Sequence, residues 1–230
     1  LELVEFDADG EGKINAGMLY PHSHASMTEL KKLVSQLSEE QRKRIVSEYL
    51  SRRRNRRDKP GRALEHAYYT FDILGDYGIY RDLQRHRLLS QERQNLTVKH
   101  GFVVPREFEE LGLRKEFNEV MQEAANAFKE ISREFPSEAQ YVVPFAFRIR
   151  WFMKMNLREV YHLTELRSSQ QGHESYRKIA QKMFRLVNEV HPALASYMKF
   201  VDLNEYYLGR LKAEMKTDEK IKALEQKYGK

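Results

Sequence analysis

The sequence predicts an α+β fold with a central mixed or antiparallel sheet flanked by helices. Two kinds of segment support this prediction: runs with strand-like alternation or aromatic and β-branched residues, and runs with apolar residues every three or four positions. No internal repeat or linker-like segment interrupts them, so we expect one domain over 1–230. Its parts are a helical N-terminal region (1–57), a motif-bearing core (60–200) and a charged C-terminal helix (206–230).

The N-terminal region should contain one strand followed by helices. The strand is expected over Leu1 to Phe6, and the helices over 13–20, 27–37 and 39–53. Ser38, with Gln41 three residues later, predicts a capping box at the start of the third helix. The run RRRNRR at 52–57 precedes a Pro-Gly pair and should be a loop.

The core should alternate strands with helices. We expect strands over 66–74, 94–98 and 142–155, and helices over 75–84, 105–111, 114–135, 157–166 and 176–190. Alternation in the strand over 142–155 places Phe145, Ile149 and Trp151 on one face and basic side chains on the other. The helix over 114–135 should bury a stripe that includes Val120 and Met121.

Composition limits the possible chemistry and partners. The balance of 40 Lys and Arg against 34 Asp and Glu gives a net charge of +6 and a pI near 9.3, which favours anionic partners such as nucleotides or phosphates. The absence of cysteine excludes a thiolate nucleophile, a disulfide and a zinc–sulfur site. No apolar run is long enough to span a membrane and no signal peptide is visible, so a cytoplasmic location is expected. Because the chain begins at Leu1, we expect it to derive from a longer protein or to have lost its original start.

Several common motifs can be set aside. DADGEGKINAGM at 7–18 imitates a calcium loop, but Met18 stands where a bidentate carboxylate is needed, so an acidic turn is favoured. No histidine pair has metal-ligand spacing, and we predict no metal site. Glycine-rich phosphate loops and the GxSxG elbow are also absent. The RRRNRR run fits a solvated loop, or a phosphate contact to a small ligand, better than a nucleic-acid surface.

Two clusters remain as candidate sites. Arg85, His86 and Arg87 follow a helical segment and could hold a phosphate or pyrophosphate through guanidinium forks. On the helix after Asn156, a polar stripe should include Arg158, His162 and, near the same row, Arg167. A solvent-exposed charged face would show the same pattern, but flanking apolar residues favour the wall of a cleft.

Taken together, these clusters resemble the flavin-dependent thymidylate synthase family. The family motif is Arg-His-Arg, seven arbitrary residues and Ser, and its C-terminal part has Asn-x-Arg followed by Leu-Arg nine residues after that Arg. Here RHR stands at 85–87, NLR at 156–158 and LR at 166–167. The Glu65-His66 dipeptide also matches the family segment that opens a strand, so the resemblance covers about 60 to 180.

The resemblance implies a thymidylate synthase-like α+β fold and a homo-oligomer, a tetramer or a dimer, with FAD at the subunit interface. It also implies methylation of dUMP to dTMP with methylenetetrahydrofolate and NADPH, the reduced flavin taking part in the transfer. The residues that the family pattern assigns to the cofactor are Glu65, Arg85, His86, Arg87, Asn156, Arg158 and His162. Those assigned to the nucleotide substrate are Arg85, Arg93, Asn95 and Arg167, with Arg167 also catalytic.

The sequence departs from the family pattern on the nucleotide side. Asn95 stands where the family has Ser, and Thr97 and Gln140 stand where it has Arg. Two interpretations follow: a divergent enzyme in which Arg93 or an arginine of RRRNRR replaces the missing phosphate ligands, or a degenerate homologue or half of a duplicated chain that supports an intact copy. We therefore expect FAD to bind and dUMP to bind weakly.

Overall fold

The computed structural model describes residues 1–207 and 209–228, with the backbone alone at 210. The described residues form two compact units. The first unit comprises Leu1–Val4 and Thr70–Lys154, and the second comprises Glu5–Tyr69 and the described residues from Met155 onward. The single domain over 1–230 stays a prediction, and the predicted C-terminal helix includes residues 208, 229 and 230, which lie outside the described residues.

The chain forms an antiparallel sheet and a series of helices, which confirms the predicted α+β fold. The strands are β1 (Glu2–Phe6), β2 (Tyr68–Asp76), β3 (Ser90–Arg93) and β4 (Arg148–Asn156), in the order β1-β2-β4-β3. The helices are α1 (Gly10–Leu19), α2 (Met27–Gln36), α3 (Glu39–Leu50), α4 (Tyr77–Leu83), α5 (Arg106–Glu110), α6 (Arg114–Ile131), α7 (Leu157–Arg167), α8 (Glu174–Val190), α9 (Pro192–Ala195) and α10 (Gly209–Tyr228).

The short strand β3 lies earlier in the chain than predicted. It pairs antiparallel with β4 from Ser90 opposite Lys154 to Arg93 opposite Trp151, whereas the sequence pattern favoured 94–98. The sequence of β3 is SQER, which has no β-branched or aromatic residue. Pairing with β4, rather than local propensity, therefore decides where this strand forms.

The buried strand β4 confirms the predicted alternation over most of its length. Ile149, Trp151 and Met153 are fully buried on one face. The strand begins later than predicted because a 3-10 helix at Glu138–Val142 and a turn at 145–146 precede it. Phe145, in that turn, is 57% exposed, so its predicted inward position was wrong. Val120 on α6 is likewise 60% exposed, which makes the buried stripe of that helix narrower than predicted.

The second unit is mainly helical. Helix α1 packs against α2, α3 and a 3-10 helix at Arg62–His66, and α7 packs against α8. The predicted capping box at α3 is confirmed: Ser38 accepts a hydrogen bond from the Gln41 backbone, and Gln41 accepts one from the Ser38 backbone. The stretch that imitates a calcium loop is partly helical because α1 begins inside it, at Gly10.

Among the described residues, no helix combines the length and the apolar composition that crossing a membrane requires.

Candidate functional site

The Arg-His-Arg segment lies between α4 and β3 in the first unit. Its histidine, His86, is buried, while Arg85 and Arg87 on either side are exposed. The His86 backbone N–H donates to the Leu83 carbonyl at 3.1 Å, which continues the last turn of α4. Neither arginine side chain has a hydrogen-bond or ion-pair partner within the part of the chain that the structure describes. Two guanidinium groups are therefore presented to solvent from a segment with a fixed backbone.

Gln91 on β3 holds this backbone in place, a role that the sequence analysis missed. Its Nε2 donates to the carbonyls of Gln84 at 2.8 Å and His86 at 3.2 Å, one residue before Arg85 and one after it. Its Oε1 is buried and has no hydrogen-bond partner among the described residues. Because Gln91 lies inside the variable part of the motif, no residue-type signal marked it in advance.

The residues that depart from the family pattern make local hydrogen bonds in the same unit. Gln140 Oε1 accepts from the Leu96 backbone N–H at 2.9 Å, and Thr97 Oγ1 accepts from the Lys99 backbone N–H at 3.2 Å. Arg93 donates to the carbonyl of the following residue at 3.0 Å, and Asn95 is exposed. Gln140 and Thr97, which stand where the family has arginine, therefore stabilise the loop after β3.

The start of α7, in the second unit, brings three of the predicted residues into defined positions. Asn156 is the N-cap of the helix, and its Oδ1 accepts from the Glu159 backbone N–H at 3.0 Å. Arg158 donates through Nη1 to Glu65 Oε1 at 2.7 Å and through Nε to the Pro60 carbonyl at 3.0 Å. The structure therefore pairs two residues, Arg158 and Glu65, that the sequence assigned separately to the cofactor.

The Glu65 carboxyl is held in its charged form. Burial alone would raise its pKa, but the hydrogen bonds and charges of Arg158 and Arg62 outweigh burial and lower that pKa below its ordinary value. The contact with Arg62 is longer, at 3.2 Å, and the Arg62 side chain is mostly exposed. Arg158 is therefore the main partner of this carboxylate.

His162 and Arg167, the other two predicted residues of α7, lie on different faces of the helix. His162 is exposed and lies one turn after Arg158, as the predicted stripe requires. Arg167 is nine residues after Arg158, which turns it about half a revolution around the helix. Its guanidinium carbon lies 5.4 Å from the ring centre of Tyr176 on α8, in a cation–π contact. The predicted stripe therefore contains Arg158 and His162, and Arg167 lies outside it.

A buried ion pair near the other end of α7 was also missed. Arg53 donates to both carboxylate oxygens of Glu165, at 2.9 and 2.6 Å, and its guanidinium carbon lies 5.2 Å from the ring centres of Tyr161 and Phe200. Burial raises the pKa of the Glu165 carboxyl against the opposing hydrogen bonds and charge of Arg53. Arg53 belongs to RRRNRR, but the sequence could not show which of its arginines turns inward.

Comparison with known proteins identifies the family. Residues 2–193 match the sequence profile of the thymidylate synthase complementing protein family. The chain belongs to this family. The chain is similar to a UPF0159 protein of Chlamydia muridarum, with 46% identity over 214 residues, covering 93% of this chain and 40% of the relative. It is also similar to a protein named flavin-dependent thymidylate synthase from Geobacter sulfurreducens, with 33% identity over 141 residues, covering 57% of this chain and 61% of the relative.

The family assignment agrees with the fold. A solved structure of the UMP/dUMP methylase PolB from Streptomyces cacaoi, bound with 5-Br dUMP, superimposes with a TM-score of 0.69 at 16% identity, covering 86% of this chain and 93% of that one. At this identity the similarity establishes the fold alone. The chain spans about two fifths of the length of the chlamydial relative.

The donors in this member of the thymidylate synthase complementing protein family suit a phosphate-containing cofactor. Arg85 and Arg87 each offer a planar set of N–H donors that pairs with phosphate oxygens, and neither has a partner to give up among the residues that the structure describes. Arg158 differs, because Glu65 and the Pro60 carbonyl already occupy two of its N–H donors.

Proposed function

We propose that the chain is a flavin-dependent thymidylate synthase domain that methylates dUMP to dTMP with methylenetetrahydrofolate and NADPH. The observation that carries this proposal is a pair of exposed arginines, Arg85 and Arg87, which have no partner among the described residues, in a chain of this family. Guanidinium groups form strong, often bidentate hydrogen bonds with phosphate groups. Gln91 fixes the backbone on either side of Arg85 before any ligand arrives, which lowers the backbone entropy lost on binding.

The residues divide into cofactor and substrate roles. The residues proposed for FAD are those of the family pattern: Arg85, His86, Arg87, Glu65, Asn156, Arg158 and His162. When bound, FAD supplies the redox chemistry of the methyl transfer. For dUMP, Arg85, Arg93 and Asn95 would bind the nucleotide, and Arg167 would bind and polarise the pyrimidine.

Flavin binding is the first test. Titration of the apoprotein with FAD, followed by quenching of flavin fluorescence, should show saturable binding by the wild type. Arg87→Ala should weaken the affinity about tenfold or more, because one charge-assisted contact to a phosphate is lost. Arg133→Ala, which removes another exposed arginine of the first unit, should leave the affinity unchanged.

Two outcomes contradict the proposal. The first is a wild-type protein that shows no saturable FAD binding. The second is equal weakening by Arg87→Ala and Arg133→Ala, which would mean that flavin responds only to overall charge.

A second candidate function is that of a non-catalytic homologue that binds flavin or nucleotide and supports an intact copy. The local hydrogen bonds of Gln140 and Thr97 favour it, because these side chains stand where the family has phosphate-binding arginines. Calorimetry with dUMP and a chromatographic assay for dTMP distinguish the two functions. Low-micromolar dUMP affinity with dTMP formation supports the enzyme, and FAD binding without either supports the homologue.

We further infer that the protein is cytoplasmic.

We also infer that the protein associates into at least a dimer. Large apolar side chains of the first unit are exposed, including Tyr141 at 90% and Leu88, next to Arg87, at 79%. Apolar side chains that form one exposed patch often mark a surface that becomes buried between subunits. Light scattering should give a mass of two or more chains, and a mass of 27.4 kDa would contradict the inference.

A further inference from the structure

The second unit contains a polar cavity that the proposed function does not use. Its volume is about 790 Å³, and it lies between α10, the turn at 169–171 and Arg56. Four cationic side chains line it, against one carboxylate, that of Glu219, among the side chains that the structure describes. The cationic residues are Arg56, Lys212, Lys216 and Lys220.

Arg56 lies in a loop whose backbone is held by side-chain hydrogen bonds. Asp58 accepts hydrogen bonds from the backbone N–H groups of Arg54 at 2.8 Å and Asn55 at 3.1 Å. Asn55 Oδ1 in turn accepts from the Arg57 backbone N–H at 2.8 Å. Because Arg53 anchors the start of this loop inside the unit, Arg56 belongs to a segment with many fixed backbone bonds.

Helix α10 approaches the turn at 169–171 closely enough to form the opposite wall. A side chain on Gly209, at the start of the helix, would place its Cβ 2.5 Å from the Gln170 carbonyl oxygen, so only glycine permits this approach. The segment before α10 is fastened by Arg177, which donates to the carbonyls of Ser168 at 2.8 Å and Asn204 at 3.0 Å. The turn that forms one wall of the cavity is therefore fixed by hydrogen bonds, and α10 meets that turn at Gly209.

The lysines form one row on α10. Lys212, Lys216 and Lys220 follow one another at four-residue intervals, so they share a face of the helix and advance about 6 Å per step. Lysine ammonium groups act as point charges toward phosphate, and the arginine adds a planar fork. Ser169, Gln170 and Gln171 add neutral polar groups. This donor set is suited to an anion with several charged groups.

We propose that this cavity binds a small soluble anion with several phosphate groups, of the class of nucleoside triphosphates. Its volume falls in the range of small-molecule sites, about 300–1,000 Å³. The carboxylate of Glu219 interrupts the basic lining, which disfavours a long nucleic-acid strand because such a strand needs a continuous basic track. The proposal gives a role to the RRRNRR run and does not depend on the thymidylate synthase activity.

The test is calorimetric titration of the full chain with ATP and, separately, with inorganic tripolyphosphate. Both should bind at about 50 mM salt and more weakly at about 200 mM, because the interaction is electrostatic. Lys216→Glu and Arg56→Gln should each weaken binding about tenfold or more. The matched control is Lys222→Glu, an exposed lysine of α10 that does not line the cavity, and it should leave binding unchanged. Tighter binding of ATP than of tripolyphosphate assigns the ligand as a nucleotide, and equal binding assigns it as free polyphosphate.

Three results would overturn the proposal. One is the absence of saturable binding of either anion. Another is equal weakening by Lys216→Glu and Lys222→Glu, which would mean that only net charge matters. The third is displacement of ATP by single-stranded RNA with an affinity that rises with RNA length, which would point to a polymeric partner. FAD affinity, measured in parallel, should not change in Lys216→Glu, so failure here is distinguishable from failure of the proposed function.

Discussion

The two ends of α7 are held by arginine–glutamate pairs of different kinds. Near the C-terminal end, the side chains of Arg53 and Glu165 are 5% and 1% exposed, and the arginine is flanked by two aromatic rings. Near the N-terminal end, the side chains of Arg158 and Glu65 are 32% and 29% exposed. Both pairs contain the same chemical groups, so their different environments decide what each can do.

The difference separates a structural contact from an exchangeable one. Removing one partner of the enclosed pair leaves a buried charge without compensation, which is costly. The partners of the half-exposed pair can be solvated by water, so they can separate at lower cost. The exchangeable pair is also the one that contains residues predicted to face the cofactor, Glu65 and Arg158.

The largest effect is expected from Arg53→Ala. The substitution leaves Glu165 without its partner inside the unit, and the free energy of unfolding should fall by about 3–5 kcal/mol. Urea denaturation followed by circular dichroism measures the change. Arg52→Ala is the matched control, because Arg52 pairs with Glu48 on an exposed surface and should cause no measurable change. Equal effects of the two substitutions would show that burial does not distinguish these pairs.

A smaller effect is expected from Arg158→Ala. The substitution removes the hydrogen bonds to Glu65 and the Pro60 carbonyl, but water can replace both, so the free energy of unfolding should fall by about 1 kcal/mol. The same denaturation experiment applies. A loss as large as that of Arg53→Ala would contradict the proposed difference between the two ends of α7.

The smallest effect is the dependence on pH that Glu65 contributes. Because the pKa of Glu65 is lowered in the folded state, its contribution to stability is present above the ordinary value of 4.5 and is lost as the pH falls through the lower folded value. Wild-type stability should therefore decrease more than that of Glu65→Gln between about pH 7 and about pH 4. Urea midpoints of both proteins at the two pH values measure the difference, and parallel decreases would contradict the assignment.

Much of the fold was predictable because its signals are local. The capping box at Ser38 and the alternation around Trp151 are properties of neighbouring residues, and both are confirmed. The errors concern features that depend on distant residues. The strand at 90–93 forms because β4 offers a pairing edge, and Val120 is exposed although helical periodicity placed it on the inner stripe.

The candidate site was predictable as a set of residues but not as an arrangement. The sequence named Arg158 and Glu65, but it could not show that they bind each other. It drew attention to RRRNRR, but only the structure distinguishes Arg53, which is buried, from the exposed arginines beside it. Gln91 could not be found at all, because its function depends on carbonyl groups that any residue supplies.

The hydrogen bond of Gln140 limits which side chains its position can accept. Its Oε1 accepts a hydrogen bond from the Leu96 backbone N–H, and Leu96 is buried. Arginine has no acceptor atom, so Gln140→Arg alone would leave that N–H without a partner. Arginine at this position would therefore cost a backbone hydrogen bond unless another residue supplied an acceptor for the Leu96 N–H.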